Sequence, residues 1–113
     1  VRVWDYSTER FESSGTQFCG LIMGDHSKCG INTMFNTGTV IGVAANVFGS
    51  GFPRTFIPDF AWGGAAGMTT NKLPKVFETA ELVKSRRKLK VSAHEKDALE
   101  HVYALTKDLR RWE

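Results

Sequence analysis

The sequence has few cysteines and no long hydrophobic run, and both absences exclude classes of protein. Two cysteines in 113 residues are too few for a disulfide-stapled scaffold, and Cys19 and Cys29 lack the spacing of a metal site. No apolar run approaches the ~20 residues that a membrane-spanning helix needs. No signal peptide is visible, so we expect a cytoplasmic protein without a membrane partner. The chain begins with Val1 rather than Met, and we expect it to be a fragment of a longer protein.

Charge is scarce in the middle of the chain, over residues 13–71. Between residues 13 and 71 the charged side chains are Asp25, Lys28, Arg54 and Asp59. The 11 basic and 7 acidic residues from Lys72 onward are interleaved, which favours solvated helix faces and no nucleic-acid partner. The alternative, a nucleic-acid-binding tail, would use Arg86, Arg87, Lys88, Arg110 and Arg111.

A six-residue repeat runs through residues 23–46, MGDHSKCGINTMFNTGTVIGVAAN. The first position of each hexad is apolar, and the fifth is always small. The second position is Gly, Gly, Asn and Gly, which predicts a positive φ there. Because six is neither a helical period nor a simple alternation, the pattern indicates a solenoid in which three hexads close one turn. The apolar first positions are then expected to fill the interior: Met23, Cys29, Phe35 and Ile41.

The rest of the chain is expected to complete this coil. Residues 1–71 are predicted to form the coils. This region includes an N-terminal β segment that leaves and rejoins the coil, and a capping loop that contains Pro53 and Pro58. Residues 72–113 are predicted to form a helical segment that packs on the coil or on a neighbouring subunit. Its helices are expected at 75–88 and 93–111, and Ser92 begins a capping box at the second one.

His26 is the candidate general base, because it is expected to point outward from a nearly uncharged wall. The alternative is an ordinary surface or interface histidine, which is also how we interpret His94 and His101. Lys28 and Arg54 are candidates to bind a sugar phosphate or the phosphates of a coenzyme. Asn32 is a candidate substrate contact, and Asn36 is a candidate contact that also has a structural explanation as a turn residue.

The repeat resembles that of left-handed parallel β-helix acyltransferases. Residues 24–53, GDHSKCGINTMFNTGTVIGVAANVFGSGFP, with FIPDFAWGG at 56–64, resemble the C-terminal part of bacterial bifunctional uridylyltransferase/glucosamine-1-phosphate acetyltransferases. The most similar form is the alternative Bacteroidetes-type sugar-phosphate nucleotidyltransferase. The resemblance implies a mainly β fold, a left-handed parallel β-helix with a C-terminal pair of α-helices. It also implies that the nucleotidyltransferase domain is absent from these residues.

The same resemblance implies a function. We expect an acyltransferase-type domain that transfers acetyl from acetyl-CoA to an amino-sugar 1-phosphate in nucleotide-sugar synthesis, as a homotrimer. Mg²⁺ would be needed only by the absent nucleotidyltransferase domain. The alternative is a non-catalytic trimerisation or regulatory domain.

The chain departs from the family motif that carries the catalytic base. In one register Ile31 occupies the position of the family's His, and Met34 that of its Tyr. A second register aligns residues 23–33 with a later coil. Neither register places the family's base on His26, so the assignment of His26 depends on its expected position on the wall.

Overall fold

The computed structural model describes residues 1–112 as a mixed α/β protein with short strands and two helices. The strands are β1 (Arg2–Asp5), β2 (Arg10–Ser13), β3 (Ile22–Met23), β4 (Lys28–Cys29), β5 (Val40–Ile41), β6 (Asn46–Val47), β7 (Phe56–Ile57), β8 (Ala61–Gly64) and β9 (Gly67–Thr70). The helices are α1 (Leu73–Ser85) and α2 (Ala93–Leu105), and a 3-10 helix follows at Lys107–Leu109.

The strands form three small sheets. β1 and β2 make an antiparallel hairpin. β3, β5 and β7 form a parallel sheet in that order. β4, β6 and β8 form a second parallel sheet, to which β9 adds as an antiparallel edge strand. In this second sheet Lys28 pairs with Asn46, and Asn46 pairs with Trp62, so these three residues lie side by side across the strands.

The predicted mainly β, left-handed parallel β-helix is wrong. The described residues form a mixed α/β fold in which most strands of the repeat are two residues long. The first hexad positions also do not share one interior: Ile41 is 2% exposed, whereas Met23 is 38% exposed and Cys29 is exposed. The physical reason is that β3 and β4 are edge strands of their sheets, so the first hexads have no neighbour to cover them.

The six-residue period appears as a period of turns. The fourth hexad positions adopt positive φ: His26 (60°), Asn32 (63°), Gly38 (74°) and Ala44 (57°). The prediction of positive φ at the second position is therefore wrong. Glycine is needed at that position for close approach, because a Cβ on Gly24 would lie 2.8 Å from the carbonyl carbon of Gly42. Within the segment predicted as a capping loop, the structure forms the short strands β7 and β8.

The interior consists of two hydrophobic clusters that meet at one turn. Ala45 belongs to the cluster beneath the parallel sheets, which contains Ile41, Val47, Ile57 and Ala61. The preceding residue, Ala44, belongs to the cluster that packs the helices, which contains Phe60, Val76 and Leu99. Because adjacent alanines serve both clusters, the turn at Ala44 joins the β wall to the helical pair. This packing positions α1 and α2 beside the second parallel sheet.

The helices begin close to where the sequence predicts but end earlier. Ser92 Oγ accepts a hydrogen bond of 3.1 Å from the backbone N–H of Glu95, which confirms its predicted capping role. α2 ends at Leu105 instead of continuing to 111. Arg110 is then buried, at 1% exposure, where it donates hydrogen bonds to Thr106 Oγ1 and to the Tyr103 carbonyl. It is therefore a core side chain and does not lie on the surface predicted for a basic tail.

Candidate active site at His26

His26 occupies the turn between β3 and β4. Its φ of 60° lies in the left-handed region, which residues other than glycine adopt uncommonly, although Asn, Asp and His adopt it more often than the rest. The turn is fixed by neighbouring bonds: the N–H of Ala44 donates to the Asp25 carbonyl at 2.9 Å, and Ser27 Oγ donates to the Gly42 carbonyl at 2.6 Å. The backbone therefore holds the imidazole at a fixed place on the wall, with a side chain that is 24% exposed.

A narrow cleft separates this wall from helix α1. The wall contributes His26, Lys28, Ala45, Asn46 and Trp62, and the other side contributes Asn71, Val76, Thr79 and Ala80. The parallel register explains why Lys28, Asn46 and Trp62 line one face, because they are paired across β4, β6 and β8. The cleft thus combines an imidazole, an ammonium group and amide side chains on an otherwise apolar surface.

Glu95 completes the charged part of the site from helix α2. Its Oε2 lies 3.7 Å from His26 Nε2, which is close enough for an ionic contact but too long for a hydrogen bond. Its Oε1 accepts a hydrogen bond from Lys84 Nζ. This bond is the main cause that lowers the pKa of Glu95, so the carboxylate is charged at neutral pH. An ionised carboxylate beside an imidazole stabilises the protonated ring.

The cleft is small as it stands. The volume open to the centre of a water molecule is about 20 Å³. One water molecule needs roughly 10–15 Å³ of this volume, so the cleft has room for about one. A sugar phosphate is much larger than this. Helix α1 and the wall would therefore have to separate before a substrate of that size could reach the imidazole.

The structure brings together only some of the predicted site residues. Lys28 lies in the cleft with His26. Asn32 is exposed on the next positive-φ turn, and Asn36 is exposed where its carbonyl accepts a 2.6 Å bond from Thr39 Oγ1. Arg54 is exposed on the segment before β7. These three residues do not line the cleft. His94 and His101 are exposed on α2, as predicted.

Sequence reasoning missed two residues of the site. The sequence explains Glu95 as part of the capping box at the start of α2. It gives no sign that Glu95 also contacts His26 on the wall. Asn71 follows β9, and its Nδ2 donates to the Ala44 carbonyl at 2.8 Å. The amphipathic pattern of α2, which requires the helix to pack on another element, is the signal that could have pointed to Glu95, whereas no sequence pattern marks Asn71.

Comparisons of the chain with protein-family models, with curated proteins and with solved structures found no match. No helix within residues 1–112 is long and apolar enough to cross a membrane. Over the same residues, no group of three or more His, Cys, Asp or Glu side chains is arranged to hold a metal ion.

Proposed function

We propose that the chain is an acyltransferase-type domain that transfers acetyl from acetyl-CoA to the amine of an amino-sugar 1-phosphate, with His26 as general base. The observation that carries the proposal is the placement of His26 in a cleft with Lys28, beside the carboxylate of Glu95. A base needs a proton-accepting nitrogen and a partner that stabilises its charged form. Glu95 is suited to be that partner.

The proposed reaction uses His26 as the base and Glu95 as its partner. The amine nitrogen attacks the acetyl carbonyl carbon while an imidazole nitrogen of His26 removes a proton from the amine. The carbon–sulfur bond then breaks, and the coenzyme leaves as a thiolate that takes up a proton. Glu95 lies next to Nε2 and stabilises the imidazolium formed during proton transfer. A positioned base of this kind contributes a rate factor of about 10² to 10⁴.

Lys28 is suited to hold the phosphate of the acceptor. It is the cation on the wall side of the cleft, next to Asn46 in the register of the sheet. An ammonium group binds phosphate as a point charge with rotatable donors. Three predicted site residues take no part in proton transfer in this proposal: Asn32, Asn36 and Arg54. They stay predicted contacts for the coenzyme outside the cleft.

The narrowness of the cleft makes opening part of the proposal. The contact between Glu95 on α2 and His26 on the wall joins the helices to the sheet beside the cleft. The acceptor enters when the two helices move away from the sheet together and break this contact, and the contact re-forms when the helices return. Motions of packed elements on this scale occur in microseconds to milliseconds, which is fast enough for ordinary turnover.

Acetyl transfer by the full chain tests the proposal. The chain is incubated with acetyl-CoA and glucosamine 1-phosphate, and the acetylated sugar is detected by mass spectrometry. Thiol reagents are unsuitable for detecting released coenzyme, because Cys29 is an exposed free thiol. We expect product with glucosamine 1-phosphate and none with glucose 1-phosphate, which lacks the amine. Absence of product from the folded chain would overturn the catalytic proposal.

A non-catalytic assembly domain is the second candidate, and the open edge of the sheets favours it. β3 and β4 are edge strands, and apolar side chains are exposed around them: Ile22 at 51%, Met23 at 38% and Ile31 at 97%. Exposed apolar edges commonly pair with another chain. This candidate predicts a trimer in sedimentation experiments with no calorimetric binding of acetyl-CoA. The catalytic proposal requires saturable binding of the coenzyme.

A further inference from the structure

A second hollow lies on the far side of Trp62, between the end of β6 and the turn that joins β8 to β9. Its volume is about 430 Å³, which lies within the range of roughly 300–1,000 Å³ typical of small-ligand sites. Trp62 borders both this hollow and the His26 cleft. The hollow is therefore much larger than the cleft, and the two spaces share Trp62 in their linings.

Two aromatic side chains form one side of the hollow. The rings of Phe48 and Trp62 contact each other edge to face, with centroids 5.6 Å apart and an angle of 72°. Phe48 is 42% exposed, so part of its ring surface has no protein covering it. Aromatic faces left open in a concave surface favour a flat or ring-shaped apolar partner.

Two adjacent glycines line the hollow where backbone segments approach each other closely. Gly63 has a φ of 143°, which side-chain-bearing residues rarely adopt. A Cβ on Gly64 would overlap the carbonyl oxygen of Phe48. The backbone N–H of Phe48 donates to the Gly63 carbonyl at 2.9 Å, which holds the aromatic wall against these glycines. Close backbone packing thus requires glycine at both positions beside the hollow.

The lining determines the charge of a suitable ligand. None of the residues that line the hollow is titratable, and the polar groups on their side chains are the hydroxyls of Ser50 and Thr69 and the indole N–H of Trp62. A phosphate or carboxylate would lose its hydration there without gaining a cation. A ring with an apolar face and hydrogen-bonding edges could stack on the aromatics and reach both hydroxyls.

We infer that this hollow is a binding site for a neutral ring with an apolar face and polar edges, the chemistry that a hexose and a nucleobase share. The inference goes beyond the proposed acetyl transfer and stands without it, because none of its groups belongs to the proton-transfer chemistry. Base–aromatic stacking contributes about 1–3 kcal/mol per ring, so an isolated ring is expected to bind weakly.

Titration of the ¹⁵N-labelled full chain with uncharged probes tests the inference. The probes are adenosine for a nucleobase and methyl glucoside for a hexose, and the indole N–H resonance of Trp62 is the main reporter. We expect saturable shifts at Trp62 with at least one probe, and the probe that binds identifies the source of the ring. No saturable shift with either probe up to about 50 mM, a very weak affinity, would overturn the inference.

Two phenylalanine variants and one charged probe sharpen the test. Phe48→Ala is expected to weaken binding about tenfold. Phe52→Ala is the matched control, because Phe52 is 54% exposed but does not line the hollow. Equal losses in the two variants would contradict the location. Tighter binding of glucose 1-phosphate than of methyl glucoside would contradict the neutral character of the site.

Discussion

Tyr6 Oη donates a 2.7 Å hydrogen bond to Asp59 Oδ1, although the two residues lie at opposite ends of the β region. Asp59 is buried, at 4% exposure, and its Oδ2 accepts a 2.9 Å bond from the N–H of Val43. The carboxylate thus ties the N-terminal hairpin to the turn between β5 and β6. This single buried group connects three segments that precede the helices.

Tyr6→Phe is expected to lower the free energy of unfolding by about 1–2 kcal/mol, because a buried carboxylate oxygen loses its hydroxyl donor. Urea unfolding followed by circular dichroism measures the loss. Phe11→Leu, in the same hairpin, serves as a control for packing alone. A loss in Tyr6→Phe below that of the control would contradict the role of the hydrogen bond.

The same bond predicts a limit to stability at alkaline pH. Burial of the hydroxyl, followed by the negative charge of Asp59, raises the pKa of Tyr6. A raised pKa means that the folded chain holds this proton more tightly than the unfolded chain. The stability gained is present below about pH 10 and is lost as pH rises further. Unfolding experiments should show a steeper alkaline loss in the wild type than in Tyr6→Phe.

Gly42→Ala tests the close approach of successive turns. A Cβ at this position would lie 2.5 Å from the backbone nitrogen of Asp59 and would also overlap its carboxylate. We expect a loss of about 1–3 kcal/mol, the typical cost of overpacking. Gly20→Ala is the matched control, since a Cβ there meets nothing within 4 Å. Similar thermal midpoints for the two variants would contradict the observed packing at Gly42.

Glu95→Gln tests the ionic contacts of Glu95, chiefly the bond from Lys84 that joins the two helices. Because the bond from Lys84 lowers the pKa of Glu95, the charged carboxylate stabilises the folded chain at neutral pH. This contribution is lost as pH falls below about 4.5 and through the lowered folded pKa. The difference in urea midpoint between wild type and variant should therefore be present at pH 7 and shrink in acid. Glu78→Gln, on the exposed face of α1, should show no such pH dependence.

The sequence predicts the repeat period of the chain better than it predicts the fold. The six-residue period is real, and it appears in the turns at His26, Asn32 and Ala44. It could not reveal which apolar positions are buried, because burial of Met23 or Ile41 depends on whether another strand lies beside them. Helix capping at Ser92 was predictable, since it is a local effect of residues three apart.

The candidate site was only partly predictable for a related reason. His26 and Lys28 lie on the repeat and share a segment, so their proximity follows from sequence spacing. Glu95 reaches His26 only because α2 packs against the turn at Ala44, through Leu99. Contacts of this kind, between residues far apart in the chain, have no sequence signature without related sequences.

The turnover of His26→Asn tests the central proposal most directly. Asparagine tolerates the left-handed backbone that His26 adopts, so this substitution removes the base while keeping the turn. His101→Asn is the control, because His101 is exposed on α2. We expect acetyl transfer to glucosamine 1-phosphate to fall about 10²-fold or more in His26→Asn and to be unchanged in His101→Asn. Wild-type turnover in a folded His26→Asn chain would contradict the role of His26 as the base.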